Sequence, residues 1–96
     1  MSAIFPATYK DLSSTIQQAL QAQNAAPANP GRKGIYIEVT GNDTIYLNPT
    51  KAATGGVDDL PLAPGDWWEP PPHGIPITAI SVYSPTAGVS YICWVW

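Results

Sequence analysis

Tryptophan is the residue type with the most evident capacity for recognition chemistry in this 96-residue chain, which contains Trp67, Trp68, Trp94 and Trp96. Adjacent residues of a strand point to opposite faces, so either Trp67 or Trp68 is expected to lie outside the domain's own core. Trp94 and Trp96 share one face of a predicted strand with Ile92. Exposed tryptophans stack on sugar rings in carbohydrate-binding modules, and tryptophan is also enriched at the centres of protein interfaces. We therefore treat Trp67 and Trp68 as possible ligand-stacking residues, and Ile92, Trp94 and Trp96 as interface residues. A third interpretation, in which all four tryptophans fill a small core, stays open.

The other reactive side chains do not form a recognisable catalytic or metal-binding pattern. His73 is the single histidine and follows three prolines, which keep its segment extended and away from Asp66 and Glu69. The acidic pair Asp58-Asp59 lies in a loop that lacks the dense alternation of Asp and Asn typical of calcium loops. Gly55-Gly56 is not followed by the Lys-Ser/Thr of a phosphate loop. The sequence therefore predicts no enzymatic activity, no cofactor and no metal ligands.

The chain is poor in charge, which narrows the classes of partner. Charged residues make up 11% of it, against an average near 25%, while hydrophobic residues make up 45%. The net charge is −3, and Arg32 and Lys33 are the only adjacent basic residues. Binding to nucleic acid or to an anionic membrane needs clustered cations, so neither is expected. Much of the surface must be neutral and polar, or covered by other chains.

The single cysteine and the N-terminal residues indicate the cellular compartment in which the protein is made. Cys93 is the single cysteine, so it cannot form an internal disulfide. The first residues show neither the basic region nor the apolar run of a signal peptide, and no stretch approaches the ~20 apolar residues of a spanning helix. These features predict a protein that is made and assembled in a reducing cytoplasm.

The N-terminal third is predicted to be an arm consisting of an amphipathic helix and a linker. Thr8 and Asp11 fit a helix start, and Leu12, Ile16 and Leu20 recur at every fourth position within a helix over residues 9–23. This narrow stripe could pack on the chain's own sheet, on a second copy or on a larger assembly. Two prolines and a glycine in residues 24–33 indicate a linker. We therefore divide the chain into an anchoring arm, residues 1–33, and a β-domain, residues 34–96.

Beyond residue 33 the apolar pattern has the period of two that is typical of strands. Residues 34–40 and 44–48 alternate and are predicted to form a hairpin around Gly41-Asn42-Asp43. Residues 66–69, 75–84 and 89–96 complete the set, and the last two strands are apolar on both faces, as in a central strand or one covered by a partner. The predicted fold is a mostly β protein, a small antiparallel β-sandwich or partial barrel preceded by an N-terminal helical arm.

Three segments of the β-domain resemble small virion proteins of tailed bacteriophages. They are Leu62-Ala63-Pro64-Gly65-Asp66, then Ile77-Thr78-Ala79-Ile80-Ser81-Val82, and finally Val89-Ser90-Tyr91-Ile92-Cys93-Trp94. In that family a Pro-Gly turn precedes a strand, an Ile-x-Ala-Ile-Ser strand follows, and a closing strand ends at an aromatic-rich tip. The resemblance covers about residues 34–96.

The resemblance implies a structural component of a phage virion, assembled in the host cytoplasm. Proteins of this type decorate and stabilise capsids, form the bases of head fibres or serve as small tail components, and they are commonly trimers. The implied partners are further copies of the chain, with a trimer favoured, and a major capsid or tail protein. The alternative is a carbohydrate- or receptor-binding module of a phage fibre or tail that uses Trp67 and Trp68.

Overall fold

A computed structural model describes residues 10–96, which form two antiparallel sheets and one short 3₁₀ helix, Pro72–Gly74. The nine strands in this part of the chain are β1 (Lys10–Asp11), β2 (Ser14–Thr15), β3 (Gln23–Ala26), β4 (Ile35–Val39), β5 (Ile45–Asn48), β6 (Leu60–Leu62), β7 (Trp67–Trp68), β8 (Ile80–Tyr83) and β9 (Ser90–Val95). Sheet A has the strand order β1-β9-β4-β7, with β2 also paired to β9, and sheet B has the order β3-β8-β5-β6.

The two sheets share one hydrophobic core, which is the arrangement of a β-sandwich. Every second residue of β4 and β9 faces inward, so Ile35, Ile37 and Cys93 are fully buried. Sheet B contributes Ile45, Leu47, Ile80 and Val82 to the same cluster. The predicted β-rich fold is confirmed, and β8 and β9 are central strands of their sheets, as their two-sided apolar character indicates.

The predicted helix over residues 9–23 is wrong for the described residues 10–23, where the chain is extended or turning. The backbone N–H of Leu12 donates to the Cys93 carbonyl at 2.7 Å, and that of Ile16 donates to the Val89 carbonyl at 2.8 Å. The spacing of Leu12, Ile16 and Leu20 predicted a helix, but residues four positions apart also lie on the same face of a strand. Residues 1–9, including Thr8 and Tyr9, lie outside the described residues.

The predicted linker also contains regular structure. β3 overlaps the first residues of the linker and pairs with β8, which places Ala25 and Ala26 in the core. Further along, Arg32 is 6% exposed and its guanidinium donates to the carbonyls of Pro27, Pro76 and Thr78 at 2.5, 2.7 and 3.0 Å. The described part of residues 1–33 therefore packs in the same two sheets as residues 34–96.

The predicted hairpin between residues 34–40 and 44–48 is wrong, although both strands exist. β4 pairs with β7 and β9 in sheet A, whereas β5 pairs with β6 and β8 in sheet B. The backbone N–H groups of Thr40 and Gly41 donate to the Ser90 carbonyl at 3.0 and 2.9 Å. Beyond these residues the chain passes from sheet A to sheet B. Period-two patterning identifies a strand and its buried face, but it does not identify the strand's neighbour.

Candidate functional site

The most distinctive surface of the described chain is a row of aromatic rings on the outer face of sheet A. It consists of Trp94 on β9, Tyr36 on β4 and Trp67 on β7, and we call these three residues the aromatic ladder. The strands are neighbours in the order β9-β4-β7. Tyr36 lies directly opposite Trp94 in the register, and Trp67 lies opposite the next outward residue of β4, Glu38. Alternation forces this face outward because Ile35, Ile37 and Val39 occupy the core.

The rings of the aromatic ladder are stacked on one another. The Tyr36 ring centroid lies 5.5 Å from that of Trp94, with 23° between the ring planes. On its other side it lies 6.0 Å from that of Trp67, with an angle of 22°. Such spacings fall in the favourable range for aromatic pairs. Trp67 ends the ladder on the edge strand β7 and remains 59% exposed, so much of its indole is free to contact another molecule.

Carboxylates lie at both ends of the aromatic ladder. Near Trp67, Glu38 Oε1 accepts a hydrogen bond of 2.5 Å from the Tyr36 hydroxyl. Burial, this hydrogen bond and the negative charges of Glu38 and Glu69 raise the pKa of Tyr36 to about 12, so its hydroxyl stays protonated. At the other end, Asp11 lies opposite Trp94. Hydrogen bonds from Ser13, with a smaller contribution from Trp94, lower the pKa of the exposed Asp11 carboxyl.

Trp96 and Ile92 extend the apolar surface along β9 on either side of Trp94. The Trp96 indole lies directly over Gly34, where a Cβ would come within 2.3 Å of indole carbons. Ile92 lies opposite Glu38. Like Trp94, both are partly buried. The outer face of sheet A therefore combines the predicted interface residues Ile92, Trp94 and Trp96 with one of the predicted stacking residues, Trp67.

The remaining predicted site residues lie elsewhere. Trp68 faces inward opposite Ile37 and packs against the core, so only its neighbour Trp67 is available for stacking on a ligand. Ile16 is fully buried and Leu12 packs against the core. Leu20 is 67% exposed in a turn. The stripe of Leu12, Ile16 and Leu20 is therefore not one surface.

Tyr36 and Glu38, which complete the site, were not predicted from the sequence as site residues. The pattern that indicates them is the alternation of β4, in which both residues face away from the buried isoleucines. That pattern assigns them to an outer face, but their proximity to Trp67 depends on the β4–β7 pairing, which links residues about thirty positions apart in the chain.

A cleft lies on the outer face of sheet B, which the loop 49–59 partly covers. Buried Asp59 organises this loop by accepting hydrogen bonds from Asn48 Nδ2 at 2.9 Å and from the backbone N–H groups of Thr54 and Gly55 at 2.8 and 2.7 Å. The resulting cleft, of about 410 Å³, is lined by small and polar residues of β3, β8 and the loop. Lys51 is the one ionisable side chain of this lining, and its Nζ lies 2.6 Å from Asp58 Oδ2.

Two further side chains with reactive groups are Cys93, which is buried, and His73, which is exposed. Burial raises the pKa of the Cys93 thiol to about 12, which keeps it protonated at neutral pH. His73 is exposed on the 3₁₀ helix. Among residues 10–96, no three His, Cys, Asp or Glu side chains are grouped closely enough to hold a metal ion. In the same part of the chain, no helix has the length and apolar character needed to cross a bilayer.

Comparisons with protein-family models, with curated proteins and with solved structures find no match to this chain.

Proposed function

We propose that this chain is a structural component of a phage virion that functions by contact, either in capsid decoration and stabilisation or in the attachment of a surface appendage. The observation that supports this most directly is the aromatic ladder, extended by Trp96 and Ile92, on the outer face of a sheet. Large aromatic residues concentrate at the centres of protein interfaces, where few charged side chains are found. The virion assignment itself follows the sequence resemblance of residues 34–96.

The same surface supports association between copies of the chain. A row of apolar side chains on the outer face of a sheet is an aggregation hazard unless another surface covers it. With 11% charged residues, the chain has few groups that could keep such a face soluble. We propose that neighbouring subunits, in a trimer, or a major capsid or tail protein cover the Trp94–Trp96 end of this face.

Particle composition tests the virion assignment. Particles of the phage or prophage that encodes the chain are purified by density and analysed by quantitative mass spectrometry. We expect the chain at a fixed ratio to the major capsid or tail protein. Absence of the chain from intact particles overturns the proposal.

Light scattering on the purified chain tests the association. We expect a closed oligomer, with a trimer favoured, and a shift toward the monomer in Trp94→Ala. A wild-type chain that is monomeric at micromolar concentration contradicts the self-association.

The exposed indole of Trp67 favours a second candidate, a carbohydrate- or receptor-binding module of a phage fibre or tail. A flat aromatic side chain that is 59% exposed beside carboxylates can stack on a sugar ring while the acids accept hydrogen bonds from its hydroxyls. Titration with host-surface oligosaccharides distinguishes this candidate, because it predicts a change in tryptophan fluorescence that Trp67→Ala abolishes. Unchanged fluorescence contradicts it.

A further inference from the structure

The Trp67 end of the aromatic ladder combines an exposed indole with neighbouring carboxylates. Glu38 lies directly across from Trp67 in the β4–β7 register. Glu69 lies two residues beyond Trp67 in the chain, and its charge helps to raise the pKa of Tyr36. The exposed part of the indole therefore has one carboxylate on its cross-strand side and a second one two residues further along the chain.

These carboxylates are not neutralised within the described chain. Lys51–Asp58 is the one ion pair among residues 10–96. Glu38 accepts a hydrogen bond from the neutral Tyr36 hydroxyl, which leaves its negative charge in place. An exposed aromatic face beside two uncompensated carboxylates attracts a cation and repels an anion.

We infer that Trp67, Glu38 and Glu69 form a docking site for an arginine side chain on the surface of a partner protein. A guanidinium group is planar and weakly hydrated, so it can stack on the indole while its N–H groups donate to the carboxylates. An ammonium group offers a point charge without the flat face. The inference deepens the proposed function, on which it rests, by naming the chemistry of the partner at this end of the ladder.

A second copy of the chain cannot supply this group. Arg32 is its single arginine, and the guanidinium is buried and bonded to three backbone carbonyls. The arginine must therefore come from a different protein. Self-association and arginine docking would then involve opposite ends of the ladder.

The test uses the full-length ¹⁵N-labelled chain and two short acetylated, amidated peptides of sequence Gly-Arg-Arg-Gly and Gly-Cit-Cit-Gly. Citrulline is the neutral counterpart of arginine with nearly the same shape. The indole N–H signal of Trp67 is identified as the one that Trp67→Phe removes. We expect the arginine peptide to shift this signal at millimolar concentration, the citrulline peptide to leave it in place, and added salt to weaken the effect.

Two isosteric substitutions and one matched control complete the experiment. Glu69→Gln and Glu38→Gln are each expected to lower the affinity for the arginine peptide by about two- to fivefold, the range found for exposed ion pairs. Asp58→Asn removes the same charge at a carboxylate that belongs to the sheet B loop, and it should leave the affinity unchanged.

Equal shifts with both peptides, no shift with either, or equal losses in Glu69→Gln and Asp58→Asn overturn the inference. A shift produced by neutral oligosaccharides alone also overturns it and supports the carbohydrate-binding candidate. Particle composition and light scattering do not depend on these outcomes, so the failure of arginine docking is distinguishable from the failure of the proposed function.

Discussion

At the scale of single residues, Leu20 combines a backbone conformation that suits glycine with a side chain that contributes little burial. Its φ is 61°, and it is the one non-glycine residue with a positive φ among residues 10–96. Left-handed backbone costs an L-residue roughly 1–2 kcal/mol, and the side chain is 67% exposed. Leu20→Gly should therefore raise the free energy of unfolding by about 0.5–1 kcal/mol, after the greater chain entropy of glycine is deducted. Urea denaturation measures this change. Leu20→Ala keeps the strain and serves as the control; equal effects of the two substitutions would contradict the explanation.

Asp59 makes a residue-scale contribution to stability that depends on pH. Burial alone would raise the pKa of its carboxyl, but hydrogen bonds from Asn48, Thr54, Gly55 and Gly56 outweigh this and lower the pKa below its usual value. A carboxyl whose pKa is lower in the folded state stabilises the fold above the unfolded pKa, and this stabilisation is lost as the pH falls through the folded value. The free energy of unfolding should therefore decrease on acidification below about pH 4.

Asp59→Asn separates the stability contributed by the Asp59 carboxyl from that contributed by the other acidic residues. Both oxygens of the Asp59 carboxylate accept hydrogen bonds, so the NH2 group of the amide faces a donor in either orientation, either Asn48 Nδ2 or the backbone N–H groups of Thr54 and Gly55. We therefore expect a loss of about 1.5–3 kcal/mol at pH 7 and a flatter acid profile. Urea denaturation at pH 7 and at pH 3 gives both quantities. Asp58→Asn alters the neighbouring exposed carboxylate and should change stability by less than about 1 kcal/mol. Equal effects at residues 58 and 59 would show that the loop network is not a source of stability.

At the scale of elements, the two ends of the aromatic ladder are expected to differ. Trp94 lies on the central strand β9, is partly buried and contacts Tyr36, whereas Trp67 lies on the two-residue edge strand β7. Trp94→Ala should lower the free energy of unfolding by about 2 kcal/mol through lost apolar burial, and Trp67→Ala by less than about 1 kcal/mol. Thermal or urea denaturation compares the two variants. Equal losses would indicate that Trp67 supports the fold rather than serving as a contact residue.

The elements also show how far the sequence predicts this fold. The period of two identified β4 and β5 together with their buried faces, because alternation is a local property of the chain. The strands predicted at residues 66–69, 75–84 and 89–96 contain β7, β8 and β9. None of these local patterns determines the sheet to which a strand belongs, so the predicted hairpin was wrong and the contacts of Tyr36 with Trp67 and Trp94 were not predicted. The helix prediction failed because the spacing of Leu12 and Ile16 fits the period of a helix and that of a strand. The segment is extended because β1 and β2 pair with β9, a long-range contact that the local sequence does not reveal. The tryptophans were recognised as site residues from their type, but their assembly into one surface depends on strand order.

At the scale of the whole molecule, the N-terminal strands are expected to be essential for folding. β1 and β2 pair with β9, β3 pairs with β8, and Ile16, Ala25 and Ala26 are buried in the core. Deleting residues 1–26 exposes an edge of each central strand and opens the core. We expect the truncated chain to lose cooperative thermal unfolding, because a domain of this size has roughly 5–10 kcal/mol of stability in total. Circular dichroism and scanning calorimetry measure the loss.

Two further experiments test whether the N-terminal strands and the rest of the chain form one folding unit. Deleting residues 1–9 removes none of the described strands, and this variant should retain cooperative unfolding. Residues 1–33 supplied as a separate peptide should restore the cooperative transition of a chain that begins at residue 34, because the edges of β8 and β9 then regain their partners. If the chain from residue 34 unfolds cooperatively by itself, the β-domain is independent of the N-terminal segment and the predicted division at residue 33 holds. If it does so only with the peptide, residues 10–33 are part of one folding unit, and an anchoring role for them would have to coexist with their place in both sheets.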